Sequence, residues 1–172
     1  MIKLQRAGLR DVESLTVLAR ETFWDAFHQH PANRPEDMAA YMAAAFSEEQ
    51  VGRELADEKN IFLLAEIDSE AAGYAKLIVD TTESEITGKR PIELSRLYVH
   101  QRFLGDGVGK ALMDESLRLA RELGHDVIWL GVWEHNPRAK RFYEKNGFQY
   151  VGTHIFQLGS DAQTDLLMQR KI

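Results

Sequence analysis

The chain has 172 residues, a formal net charge of −6 and no cysteine. Disulfides, zinc–thiolate sites and a cysteine nucleophile are therefore excluded, and the acidic balance argues against a nucleic-acid binder, which normally carries a basic face. No apolar run reaches the ~18 residues of a spanning helix and Met1–Arg6 lacks the pattern of a secretory signal, so the expectation is a cytoplasmic protein that does not engage a membrane. A hydrophobic fraction of 44% over this length suits one domain, residues 1–172, with a substantial core.

Residues 2–6 read as a first strand. Val12, Leu15, Leu18, Ala19, Phe23 and Ala26 recur at helical spacing and predict a helix over 10–28. Pro35 suits a helix first turn, with Met38, Tyr41, Met42 and Ala45 on one face. Ser47 followed by Gln50 predicts a capped helix to about Asp57. Two apolar runs, 61–67 and 73–80, are parted by Asp68-Ser69-Glu70, a hairpin signal. The polar stretch 81–91 reads as a loop and 92–99 as another strand.

Val108, Ala111, Leu112, Leu119, Ala120 and Leu123 mark the buried side of a helix over 107–123, which Gly124 can close. Val127–Trp133 is a nearly continuous apolar run, as expected of a strand covered on both faces. Asn136-Pro137 is a helix cap with proline at the first position, and that helix runs to Asn146-Gly147. Two final strands, about 148–157 and 164–170, are parted by Gly159-Ser160-Asp161. The order predicts one mixed α/β sheet.

Residues 97–110 carry the first chemical signal: a strand end, a glycine-rich turn and a helix start. Such a turn aims backbone N–H groups and a helix positive end at one anion, and Gly105, Gly107 and Gly109 let a phosphate approach closely. The competing reading is a tight strand-to-helix connection. A Walker A loop fails because Lys110 stands where its second glycine belongs, and a dinucleotide fingerprint fails at the same residue.

The second signal is Asn136-Pro-Arg-Ala-Lys-Arg-Phe-Tyr-Glu-Lys-Asn-Gly-Phe148. With Leu97-Tyr98-Val99 and the glycine turn, it resembles the GNAT superfamily of acyl-CoA-dependent N-acyltransferases. Residues 22–55, and the tail Gly152-Thr-His-Ile-Phe-Gln-Leu-Gly159 with Gln163-Thr-Asp165 and Met168, resemble the PaiA-type branch of bacterial polyamine acetyltransferases.

The resemblance implies the GNAT fold, a mixed central sheet of about seven strands with helices on both faces. It implies acetyl-CoA as co-substrate, no metal, and a small-molecule amine as acceptor, with a homodimer as one option. Leu104, Gly105, Asp106, Gly107, Val108, Gly109 and Lys110 would hold the pyrophosphate. Leu104 stands where the family usually carries Arg or Gln, and Arg102 is the candidate replacement. Leu97, Tyr98 and Val99 would pair with the pantetheine arm between two splayed strands, and Asn136 would bond it. Arg138, Lys140 and Lys145 are either phosphate contacts or solvated surface cations.

Tyr143 stands where the family carries a tyrosine near the sulfur, so it is the candidate general acid; the alternative is a packing aromatic. Glu93, a carboxylate on an apolar strand, is the candidate base, or else a partner of Arg96. Glu134 is its rival. Trp24, Asp37, Tyr41 and Glu134 are candidate acceptor contacts, with His28 and His30 nearby and Glu36 adding acidity. The expected acceptor is a polyamine such as spermidine or spermine. An amino acid, a peptide N-terminus or an antibiotic amine is the alternative, and a non-catalytic acyl-CoA sensor is the reading from another class.

Overall fold

The computed structural model describes all 172 residues. Seven strands form one sheet, β1 (Ile2–Arg6), β2 (Asn60–Ile67), β3 (Glu70–Val79), β4 (Pro91–Val99), β5 (Val127–Trp133), β6 (Gln149–Leu158) and β7 (Asp161–Lys171), in the order β1-β2-β3-β4-β5-β7-β6. All pairings are antiparallel except β4 with β5. The helices are α1 (Val12–Phe27), α2 (Pro35–Ala45), α3 (Glu48–Ala56), α4 (Val108–Glu122) and α5 (Pro137–Lys145). The fold is therefore the seven-stranded mixed sheet anticipated from the sequence.

Strand alternation sorts the core into two layers. Ile61, Leu63 and Ala65 of β2 pack with Val108, Leu112 and Met113 of α4 and Tyr143 of α5. Phe62 and Leu64 face the other way, onto Leu15, Leu18, Phe23, Met38 and Val51 of α1–α3. The caps read from sequence form as expected. Ser47 Oγ accepts from Gln50 N at 3.1 Å, and Asn136 Oδ1 accepts from Ala139 N at 3.1 Å.

Two irregularities open the sheet at its centre. The β4–β5 pairing stops at Glu93↔Trp129, so residues beyond that point diverge. On the other side of β4, Lys76 pairs with Arg96 but Leu77 pairs with Leu94, leaving Ser95 as an extra residue. A bulge of this kind bends its strand, here where β4 and β5 separate.

Candidate active site

The parted strands open a cleft of about 720 Å³ that runs through the sheet. Its walls are residues Leu94–Val99 of β4, Gly131–Trp133 of β5, the turn before α4, and one side of α5.

The glycine turn forms one end. After the one-turn helix Gln101–Phe103 the chain passes through Leu104 and Gly105 and enters α4 at Gly107. Gly105 (φ +98) and Gly107 (φ +86) both take left-handed backbone, which side chains disfavour. Gly107 is the helix N-cap, so the unpaired N–H groups of the first turn of α4 open at the cleft. Leu104, Gly105, Gly107, Val108, Gly109 and Lys110 line it, whereas Asp106 is exposed and does not. Arg102 does not replace the missing family side chain: it pairs with Glu70 at 2.9 Å and lies over Phe103. Of the α5 cations weighed as phosphate contacts, Arg138 lines the cleft, while Lys140 and Lys145 do not.

At the middle of the cleft stand Leu97, Tyr98, Val99, Asn136 and Tyr143. The Asn136 carbonyl oxygen is occupied by its own helix, which leaves the amide NH₂ as a donor. Tyr143 packs edge-on against Phe142 and Phe148, and burial pushes its phenol up to about 12. It therefore stays protonated across the ordinary pH range.

The far end lies on the α1–α3 side of the sheet. Phe27, Tyr41, Trp133 and Phe156 supply aromatic walls, with Phe27 edge-on to Trp133 at 5.8 Å and Tyr41 edge-on to Phe156 at 5.2 Å. Gln163 Nε2 donates to Asn33 Oδ1 at 2.8 Å, closing the rim between the α1–α2 segment and β7. Glu93, Asp165 and His154 bring charge into this end. Burial raises the Glu93 carboxyl above its usual range, opposed by Lys76 and His154.

Several expectations about this end are corrected. Trp24 is 43% exposed and borders a separate shallow groove, because its side of α1 faces away from the sheet. Asp37 is buried outside the cleft, bound to Ser160 and Arg34. Glu134 is exposed beside His135 and does not line the cleft, and Glu36 faces solvent on α2. The Glu93–Arg96 pair does not form, because Arg96 is held by Glu54 through Nη1 at 2.7 Å and Nη2 at 3.2 Å. Tyr41 does line the site. His28 stacks on Trp24, and His30 packs against Trp133 and His135.

Sequence reasoning assigns no role in the site to His154, Asp165 or Arg96, all of which line the cleft. The detectable signal lay in the tail, where His154 alternates with Phe156 and Leu158 on β6 and Asp165 stands two residues before the buried Leu167 on β7. Gly131 is the other clue. A Cβ there would sit 2.9 Å from His154 Nε2 and 3.2 Å from Asp165 Oδ2, so glycine makes room for the pair.

Residues 19–148 match the model of the Acetyltransferase (GNAT) family. An N-acetyltransferase of Lactobacillus delbrueckii subsp. lactis, itself uncharacterised, is 36% identical over 171 residues, 99% of this chain and 98% of the relative. A spermidine N(1)-acetyltransferase of Thermoplasma acidophilum is 25% identical over 174 residues, 99% of this chain and 97% of the relative. The crystal structure of the PaiA N-acetyltransferase from T. acidophilum in complex with coenzyme A superimposes with a TM-score of 0.78 at 23% identity, covering 100% of this chain and 99% of that one. The chain belongs to the GNAT acetyltransferase family and is an acetyl-CoA-dependent N-acetyltransferase.

Proposed function

We propose that this enzyme acetylates a primary amine of a polyamine such as spermidine or spermine, by direct attack within a ternary complex. The observation that carries the reading is the pairing of two carboxylates, Glu93 and Asp165, with an aromatic wall at the acceptor end of the cleft. Carboxylates and ring faces both attract alkylammonium groups in a desolvated site. The likeness to a spermidine N(1)-acetyltransferase and to a PaiA structure supports the same class.

Acetyl-CoA supplies an activated acyl group. In our reading, backbone N–H groups at 104–109 hold its pyrophosphate, and Leu97, Tyr98, Val99 and Asn136 align its arm. Lys110 and Arg138 add positive charge at the same end. An alkylammonium has a pKa near ~10.4 and cannot attack until it loses a proton. Glu93 is the proposed base, and its raised affinity for protons improves the match to that task. Tyr143 is the proposed acid that protonates the departing thiolate, whose thiol form has a pKa around 8.5. Tyr41 is the proposed wall of the acceptor site.

Thiol release from acetyl-CoA against spermidine, spermine, amino acids, a peptide and an aminoglycoside tests the reading. Turnover confined to the polyamines is the expected result. Turnover on another amine keeps the chemistry and discards the substrate class. Acetyl-CoA binding without turnover of any amine supports a sensor instead.

A further inference from the structure

Amine acetylation releases one proton per turnover. The ammonium R–NH₃⁺ and the acetyl thioester become R–NH–COCH₃, the thiol and H⁺. With the thiolate protonated in place, one proton must leave the cleft. Glu93 sits on β4 at the core of the sheet, and its neighbours Lys76 and His154 are themselves cationic partners.

A path outward exists on the neighbouring strands. His154 on β6 faces Asp165 across the β6–β7 register. Its Nε2 lies 3.5 Å from Asp165 Oδ2, and its Nδ1 lies 3.2 Å from Glu83 Oε1 on the loop between β3 and β4. Side-chain exposure rises along this line, from 12% at Asp165 to 27% at His154 and 40% at Glu83. Asp165 and His154 line the acceptor end, while Glu83 stands at the surface. One imidazole thus has a carboxylate at each nitrogen, one inside the cleft and one at its outer edge. We infer that Asp165, His154 and Glu83 form a proton exit from the acceptor pocket to solvent.

In the neutral imidazole with its proton on Nδ1, the form that can accept, the proton that Glu93 takes from the ammonium passes by way of Asp165 to His154 Nε2, and the proton on Nδ1 then leaves to Glu83 and bulk water. The imidazole keeps its proton count, and exchange at its exposed edge restores the starting tautomer. The charged groups around His154 are all carboxylates: Glu83 and Glu85 from the loop, Glu93 from β4 and Asp165 from β7. β5 contributes Gly131, which admits the pair. Hydrogen bonding to Asp165, opposed by burial and reinforced by Glu83, raises His154 to about 9. An alkylammonium near ~10.4 can hand its proton to such a group at little cost, whereas an ordinary carboxylate lies about six units lower.

The inference rests on amine acetylation and not on the polyamine assignment. Kinetics use spermidine or, if the wild type does not acetylate it, whichever panel amine is turned over. That first outcome discards the polyamine class alone. In His154→Gln, kcat is expected to fall about a hundredfold with the KM for acetyl-CoA unchanged. The rising limb of the rate profile should move from about pH 9 toward that of the free amine. Added imidazole should restore His154→Ala in proportion to its free-base concentration, which a merely structural loss would not show. Glu83→Gln, at the surface, should give a smaller fall of the same form. Histidine NMR on the protein without substrate should show His154 titrating near 9, and near the ordinary value in Asp165→Asn. Wild-type kcat and profile in His154→Gln, no response of folded His154→Ala to imidazole, or an ordinary His154 titration would each overturn the proposal.

Discussion

Asp37 at the start of α2 and Ser160 in the β6–β7 turn are joined across 123 residues of sequence. The Ser160 backbone N–H donates to Asp37 Oδ1 at 2.7 Å, and its hydroxyl donates to the same oxygen at 2.8 Å. Arg34 Nε completes the group by donating to Oδ2 at 2.8 Å. The staple pins the helical layer to the last hairpin, and it explains why this carboxylate does not line the cleft.

Asp37→Asn should therefore lower stability and leave amine selectivity unchanged. The backbone hydrogen bond from Ser160, then its hydroxyl and Arg34, hold the Asp37 carboxyl below its usual range. A depressed folded-state value adds stability above the unfolded value, and that stability is lost as pH falls through the folded one. Melting temperatures of wild type and Asp37→Asn should differ at neutral pH and converge below about pH 4. A gap of constant size would locate the effect elsewhere.

Gly159, next to this staple, has φ +57, and a Cβ there would sit 2.6 Å from the Asp37 Cα. That atom is backbone and cannot swing away. Gly159→Ala should cost about 1–3 kcal/mol in denaturant titration from its backbone conformation alone, with the clash adding to that. A fully stable variant would show that the turn can re-form around a side chain.

A second buried polar group lies under α3. Glu54 holds Arg96 with two hydrogen bonds and Lys76 at 3.0 Å, with all three side chains nearly buried. Burial alone would raise the Glu54 carboxyl, but Arg96 and then Lys76 more than reverse this and leave it lowered. Glu54→Gln strands two cations against the core and should cost about 3 kcal/mol or more in denaturant titration. It should also loosen Arg96 at the edge of the cleft and raise the KM of the acceptor. Unchanged stability would mean that water or Glu93 takes over the cations.

What the sequence disclosed was local. The caps at Ser47 and Asn136, the glycine entry to α4 and the continuous apolar run of β5 each depend on residues within one turn or strand of each other. The family motifs at 97–110 and 136–148 are equally compact, so the parted strands could be anticipated. The far end of the cleft is assembled from α1, α2, β4, β5, β6 and β7, and its cross-strand pairs are set by sheet register. His154↔Asp165 follows only once β6 and β7 are aligned through their extra residue near Val151. Glu54 on α3 and Arg96 on β4 meet across 42 residues through helix-on-sheet packing, which no local pattern discloses. The family resemblance points to α1 as a wall of the pocket, but helical spacing cannot tell which face of α1 is buried when both carry aromatics, so it does not separate Trp24 from Phe27.

Tyr143→Phe removes the phenol and keeps the packing with Phe142 and Phe148. If the phenol protonates the leaving thiolate, kcat should fall about a hundredfold or more while the acetyl-CoA dissociation constant holds. The loss should be smaller with a thioester whose thiol is more acidic, because its thiolate needs less help. Turnover of the variant at the wild-type rate would remove Tyr143 from the chemistry and leave it as a core aromatic.

Glu93→Gln addresses the other proton. Burial raises the Glu93 carboxyl, with Lys76 and then His154 opposing the rise. If Glu93 must be ionised to accept the amine proton, kcat/KM in the wild type should fall on the acid side, at a pH above the usual carboxylate value of about 4.3. The glutamine variant, isosteric and neutral, should lose that limb and react more slowly at every pH. His154→Gln affects a separate rise, near pH 9, so the two variants separate the group that first takes the proton from the path by which it leaves. A profile identical in shape to the wild type after Glu93→Gln would assign proton removal to Asp165 or to solvent.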